Sequence, residues 1–228
     1  MSLAGVSVRS TAADLWGGSL ALTSDYFVRG ITRTNDQAAL QLDLHYVDSA
    51  GLVAGLFASN TQLDPDDRRD VELNPYVGFA WKSEGDWHGR ILGSYYAYPW
   101  NEDGSKYNYA ELDVDLGFQD WVNMQATYSP DAPRYVPNRG LIGVSAESLE
   151  ISLEHPLYGR LAGLAGAGYY DLQGPGGTGY LYWSVGMALD LAPVSLLVTY
   201  VDTGAAAKRL FYDTAATGRI TGTVIWRF

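Results

Sequence analysis

Three carboxylates alternate with apolar residues along one strand-length segment of the chain, at Glu111, Asp113 and Asp115. Because successive side chains of a β-strand point to opposite faces, the three acids share one face, with a spacing of about 7 Å. Such a row attracts cations where water surrounds it, whereas a dry interior would require basic partners for each acid. The segment therefore predicts either a polar pathway or a structural salt-bridge network.

Polar residues of other segments are predicted to share this interior, which we call the bore. The residues assigned to it are Asp43, His45, Glu72, Arg90, Glu111, Asp113, Asp115, Glu150 and Arg219. Candidate basic partners for the acids are Arg90, Arg160, Arg219 and Arg227. Complete pairing predicts a closed bore, and incomplete pairing predicts a water-filled path that favours cations or basic solutes.

The apolar residues between the acids define the elements that position them. Leu112, Val114 and Leu116 form the opposite face of the same segment, and residues 40–46 alternate in the same way. Twelve such segments are predicted, at residues 17–27, 38–47, 51–60, 70–82, 86–98, 108–119, 121–129, 142–154, 159–171, 178–190, 193–203 and 217–228. Their connections alternate between short and long, with residues 129–141 as one long loop of unassigned role.

This pattern predicts an all-β fold, a single antiparallel transmembrane β-barrel of about twelve strands with short periplasmic turns and longer extracellular loops. The predicted domain covers residues 1–228, with residues 1–15 as an N-terminal periplasmic segment. The final strand ends on an aromatic residue, Phe228, as is typical of such barrels. The alternative fold is a soluble all-β barrel or a lipocalin-like binder.

Aromatic residues near the segment ends predict two girdles at the membrane interfaces. The set beside the short turns is Trp16, Trp81, Trp87, Trp121 and Trp226. The set beside the long loops is Tyr98, Tyr109, Tyr128, Tyr170, Tyr180 and Tyr200.

Composition excludes several kinds of protein. The chain has no cysteine, and its net charge of -11 argues against binding to nucleic acid. Its three histidines, His45, His88 and His155, lie in no catalytic motif, so the sequence predicts no enzyme, no cofactor and no metal site. No signal peptide begins this chain, and for an outer-membrane protein we expect that it has been removed.

One stretch is more specific than a barrel pattern. Residues 23–34 read TSDYFVRGITRT, and they are followed by AALQ at 38–41 and GLVAGLFASN at 51–60; YYAYP at 95–99 and NYAE at 108–111 come later. These motifs resemble Gcw_chp, a proteobacterial family of unknown function, over residues 16–120. The resemblance implies an exported barrel of the bacterial outer membrane and no known activity.

Within that stretch, Asp25, Tyr26, Arg29 and Gly30 form a motif predicted at the mouth of the barrel. We expect a close turn or a charge pair between Asp25 and Arg29 across the mouth, or else an element that helps the first strand pair with the last.

The predicted function is a small porin or solute channel with an acid-rich bore, in contact with outer-membrane lipid and lipopolysaccharide. One alternative is a non-conducting surface barrel whose loops bind a partner or lipopolysaccharide. Its candidate phosphate contacts are Arg134, Arg139, Lys208 and Arg209. A less favoured alternative is a barrel enzyme that acts on lipid. The sequence indicates no oligomeric state.

Overall fold

A computed structural model describes residues 15–63, 70–101, 104–136, 138–173, 179–211 and 214–228. The predicted N-terminal segment, residues 1–15, lies outside the described residues apart from Leu15. The strands are β1 Leu15–Thr23, β2 Phe27–Val28, β3 Ile31–Thr32, β4 Ala39–Val47, β5 Leu52–Thr61, β6 Asp70–Lys82, β7 Trp87–Tyr96, β8 Tyr109–Phe118, β9 Val122–Val136, β10 Gly140–Tyr158, β11 Leu161–Leu172, β12 Tyr180–Asp190, β13 Val194–Thr203 and β14 Arg219–Arg227. Two single-turn helices lie in long connections, α1 Gly104–Tyr107 and α2 Ala207–Leu210.

Twelve of these strands close into one antiparallel barrel, in which each strand pairs with its neighbours in the chain. The barrel closes where β1 pairs with β14, from Ser19 opposite Arg227 to Thr23 opposite Thr223. The predicted fold class and the strand number are therefore confirmed. Among the described residues, no helix has the length and apolar character needed to cross a membrane.

The connections divide the barrel into two ends. Connections of two to four residues join β4 to β5, β6 to β7, β8 to β9, β10 to β11 and β12 to β13 at what we call the short-turn end. Most connections at the opposite, long-loop end are longer. The predicted loop 129–141 is an exception, because β9 continues to Val136 and β10 begins at Gly140. These residues extend a hairpin of two long strands, since their backbone groups continue the ladder.

The faces of the strands follow the predicted alternation. On β8, Leu112 is 47% exposed whereas Asp113 is 8% exposed. The same contrast holds on β12, where Leu181 and Val185 are exposed and Tyr182 is buried. The outer surface is therefore apolar and the bore is polar, the arrangement of a barrel with lipid outside.

The predicted girdles are only half correct. All five predicted tryptophans at the short-turn end are exposed. At the long-loop end, Tyr98, Tyr109, Tyr170 and Tyr180 are buried instead. Their places on the outer surface are taken by other aromatic residues, namely Tyr95, Tyr169 and Trp183, beside the predicted Tyr128 and the half-buried Tyr200. The prediction used distance from the strand end and ignored which face each ring occupies.

The first strand also differs from the prediction, because β1 ends at Thr23 rather than at residue 27. The residues that follow turn back into the bore as a separate two-stranded unit, with β2 paired to β3. We call residues 25–34 the inner hairpin. This segment contains the motif that the sequence placed at the barrel mouth.

Candidate functional site in the bore

The turn of the inner hairpin reaches the far wall of the bore. Arg29 and Gly30 both have positive φ, 51° and 78°, which is the conformation of a two-residue hairpin turn. A Cβ atom on Gly30 would lie 2.5 Å from Cγ2 of Thr203 and 2.8 Å from Cβ of Tyr182. Only glycine therefore fits at this position, on both conformational and steric grounds.

The base of the inner hairpin is fixed to the strand that closes the barrel. Oδ1 of Asp25 accepts hydrogen bonds from the hydroxyls of Thr32 (2.5 Å) and Thr34 (2.8 Å). Its Oδ2 accepts one from Nη1 of Arg219 on β14, at 3.3 Å. Arg219 also pairs with Asp36, at 2.8 Å. The expected charge pair between Asp25 and Arg29 is not formed, because each has another partner.

Arg29 is held on three sides near the tip of the inner hairpin. Its Nη2 donates to Oε2 of Glu111 at 2.6 Å and to the hydroxyl of Thr127 at 2.9 Å. The guanidinium carbon lies 4.7 Å from the centre of the Tyr170 ring. The hydroxyl of Tyr96 donates to the other oxygen of Glu111, at 3.3 Å. A carboxylate, a hydroxyl and an aromatic face therefore surround this group.

The other two acids of the row differ from Glu111 and from each other. Asp115 accepts a hydrogen bond from Nε of Arg90 at 2.8 Å, as the sequence suggested. Asp113 lies between them, opposite Leu92 on β7 and Thr127 on β9. No residue in the described part of the chain forms a hydrogen bond or ion pair with its carboxylate. The middle acid of the row is therefore largely buried without a protein partner.

Glu72 on β6 receives three hydrogen bonds. The donors are the hydroxyls of Tyr26 (3.1 Å) and Tyr98 (2.8 Å) and the amide of Asn74 (2.7 Å). Burial, followed by the charge of Glu72, raises the pKa of Tyr26 and of Tyr98 well above the ordinary value. Both phenols therefore stay protonated and act as donors, and Tyr26 ties the inner hairpin to the wall.

The remaining predicted residues lie nearer the short-turn end. Nδ1 of His45 is 2.7 Å from Oδ1 of Asp43, whose Oδ2 accepts a hydrogen bond from the hydroxyl of Tyr76 at 2.8 Å. Glu150 accepts one from Tyr182, at 2.9 Å. No group of three or more histidine, aspartate or glutamate side chains within the described residues is arranged to hold a metal ion.

Two of the predicted basic partners do not meet the acids. Arg227 donates to the hydroxyl of Ser195 at 2.7 Å, and Arg160 is exposed in the turn between β10 and β11.

The acids on the inner faces outnumber the arginines there. The acids are Asp25, Asp43, Asp70, Glu72, Glu111, Asp113, Asp115 and Glu150. The buried or half-buried arginines are Arg29, Arg33, Arg90, Arg134 and Arg219, of which Arg134 donates to the carbonyl of Leu172. The bore therefore has an excess of negative charge.

The long-loop end of the bore is filled by apolar contacts. Ile31 of the inner hairpin belongs to a buried cluster with Tyr170, Leu172 and Tyr180 of the wall, and Ala207 of α2 joins them from the loop above. A cavity of about 40 Å³ remains beside the inner hairpin. The inner hairpin therefore packs closely against the wall at this end of the bore.

Sequence reasoning missed the polar residues that accompany the acids, namely Tyr76, Tyr96, Thr127, Tyr170 and Tyr182. Strand alternation would have found them. Each inward tyrosine comes directly after an outward residue of the same strand. Tyr182 follows Leu181, Tyr96 follows Tyr95, and Tyr170 follows Tyr169.

Comparisons with solved structures find barrels of similar fold. The NanC porin superposes with a TM-score of 0.58 at 9% sequence identity, covering 92% of this chain and 98% of that one. The Pseudomonas putida toluene transporter TodX gives 0.48 at 10% identity (96% and 90% covered), and Salmonella typhi OmpF in complex with daunomycin gives 0.47 at 9% (94% and 97%). Only the first score supports a shared fold.

Sequence comparison identifies the family. No curated protein matches the sequence. A family model described as a bacterial protein of unknown function, Gcw_chp, matches residues 10–226, which is nearly the whole chain. The resemblance seen in residues 16–120 thus extends to the last strand, and the chain belongs to the Gcw_chp family.

Proposed function

We propose that this protein is a porin-like channel of the bacterial outer membrane whose bore favours cations and basic solutes. The apolar outer face fits a lipid environment, in contact with outer-membrane lipid and lipopolysaccharide. The short-turn end then faces the periplasm, and the long-loop end faces the exterior. In this proposal the protein transports and does not catalyse.

One observation carries the proposal, namely the partnerless carboxylate of Asp113 among acids that outnumber the arginines of the bore. A carboxylate buried without a partner is costly unless water or a cation satisfies it. Arg29 donates to Glu111 and Arg90 donates to Asp115, and within the described residues neither forms a hydrogen bond or ion pair with Asp113. A hydrated cation or a basic solute is the natural partner.

The test is the reversal potential of the refolded protein in a planar bilayer under a potassium chloride gradient. The wild type is expected to pass potassium in preference to chloride. Asp113→Asn should lower that preference, because it removes the unpaired charge and keeps the size of the side chain.

The matched control is Asp120→Asn, in the turn between β8 and β9. Its side chain is 85% exposed outside the bore, and asparagine tolerates the positive φ of 59° found there. This variant should retain the wild-type reversal potential. A chloride preference in the wild type, or equal effects of the two variants, would contradict the proposal.

The second candidate is a non-conducting barrel, and the packing of the inner hairpin favours it. The cavity beside the inner hairpin, about 40 Å³, holds no solute larger than water. Correctly folded protein that inserts into the bilayer without any measurable current would support this candidate. The exposed loop residues Arg139, Lys208 and Arg209 would then be the ones to test for contacts with lipopolysaccharide.

A further inference from the structure

We infer that Arg29 occupies a guanidinium-binding site in the wall of the bore, and that solutes with a guanidinium group take its place as they pass. The inference rests on the proposed function and names the class of solute. It treats Arg29 as a ligand supplied by the chain itself, carried on a hairpin that is not part of the barrel wall.

The wall groups around Arg29 match a guanidinium better than an ammonium ion. Glu111 and Thr127 receive hydrogen bonds from the same terminal nitrogen, at 2.6 and 2.9 Å. Tyr170 presents its ring to the guanidinium carbon at 4.7 Å. A planar, weakly hydrated cation can stack on a ring and donate in its own plane at the same time, which a compact ammonium cannot do.

These wall groups are themselves held in place without Arg29. The second oxygen of Glu111 accepts from Tyr96, whose ring stacks on Tyr109 with centroids 4.4 Å apart. The hydroxyl of Thr127 lies 2.7 Å from that of Ser148 on β10. The site therefore belongs to the barrel wall and would keep its form when Arg29 leaves.

A second position for a guanidinium lies one step further into the bore. Asp113 is two residues beyond Glu111 on β8, about 7 Å nearer the short-turn end. Asp113 is 8% exposed, and its carboxylate forms no hydrogen bond or ion pair with any of the described residues. A guanidinium released from Glu111 would meet this acid next, so the two acids provide two successive binding positions along the bore.

The inner hairpin has separate anchors for its base and for its tip. The base is held by the pair between Asp25 and Arg219 and by the bond from Tyr26 to Glu72. The tip is held by Arg29, whose carbonyl also accepts a hydrogen bond from Tyr180 at 3.1 Å. Loss of the Arg29 side-chain contacts therefore weakens the hold on the tip, which keeps its bond from Tyr180 to the backbone, while the base stays attached.

The test uses Arg29→Ala in a planar bilayer with methylguanidinium and methylammonium chloride as probes. The variant should conduct more than the wild type, because the Arg29 side chain no longer occupies the wall site and the tip is held less firmly. Methylguanidinium should block this current at a concentration about tenfold lower than methylammonium, the difference expected from one charge-assisted hydrogen bond. Equal potency of the two probes would overturn the inference, since charge alone would then explain the block.

The double variant Arg29→Ala/Glu111→Gln removes the carboxylate of the site and should lose the difference between the probes. If Arg29→Ala does not fold alone, its refolding yield becomes the measurement. Rescue by methylguanidinium and not by methylammonium supports the inference, and no selective rescue overturns it.

The two proposals can fail separately. If neither the wild type nor Arg29→Ala conducts any current, the proposal of a channel and the inferred passage of solutes are both overturned. A selective rise in the thermal midpoint of Arg29→Ala with methylguanidinium would still demonstrate the site. If current flows and methylguanidinium does not block it selectively, the inferred guanidinium site is overturned and the proposed channel is not.

Discussion

At the scale of single residues, the bore is organised by carboxylates that differ in how completely they are satisfied. Glu72 accepts three hydrogen bonds, Glu111 accepts bonds from Arg29 and Tyr96, and Asp113 accepts none from the described residues. Glu72, whose two oxygens both accept hydrogen bonds, fixes the inner hairpin to the wall. The least-satisfied one is the group left to meet a solute.

The role of Glu72 can be tested by Glu72→Gln. The amide has one acceptor oxygen where the carboxylate has two, so at least one of the donors Tyr26, Tyr98 and Asn74 loses its partner. We expect a loss of about 1–3 kcal/mol in the free energy of unfolding, as for an unsatisfied buried group. Urea titration in lipid vesicles measures it. Glu84→Gln, at an exposed turn, should change little, and equal effects would contradict the assignment.

The strand face on which the acids lie could be predicted from the sequence, but the residues that pair with them could not. Alternation with Leu112, Val114 and Leu116 places Glu111, Asp113 and Asp115 on the inner face whatever the rest of the chain does. The partner of Glu111 comes from 82 residues earlier in the chain, on a segment that leaves the barrel wall. Strand periodicity carries no information about a loop that folds inward, so Arg29 was placed at the mouth.

At the scale of elements, the inner hairpin is the feature that distinguishes this barrel from an open tube. Its turn depends on Gly30, because Thr203 and Tyr182 leave no room for a Cβ atom. The sequence showed a glycine beside an arginine at the end of the first strand, which indicated a close turn. The direction of that turn is set by contacts with β12 and β13, which local sequence does not specify.

We therefore expect Gly30→Ala to expel the tip of the inner hairpin. The backbone conformation at this φ alone costs alanine about 1–2 kcal/mol of conformational free energy. The contact with Thr203 adds to that cost. Trypsin should then cleave after Arg29 and Arg33 in the folded barrel, faster than in the wild type. Gly85→Ala is the matched control, because its nearest neighbour lies 3.7 Å from the added Cβ. Protection of Arg29 in Gly30→Ala would contradict the packing of the turn.

At the scale of the whole molecule, period-two alternation and loop length were sufficient to predict the barrel. Asp70–Lys82 coincides with the predicted strand 70–82, and most other ends differ by one to four residues. The largest difference occurs at the long-loop end, where β9 ends at Val136 rather than at residue 129. There β9 and β10 extend through the predicted loop 129–141, because backbone pairing between them continues to Gly140 opposite Val136.

The last prediction concerns the contact of the whole barrel with lipid. Val185 lies at the middle of β12, 51% exposed on the outer face, between Ala165 and Tyr200 of the neighbouring strands. Val185→Arg should cost about 2–4 kcal/mol in a lipid folding assay, because the charge must enter the hydrocarbon region. Val185→Leu keeps the side chain apolar and should stay within about 0.5 kcal/mol of the wild type. If the arginine variant were as stable as the leucine variant, the outer face at this level would not contact lipid, and the placement of the barrel in a membrane would be wrong.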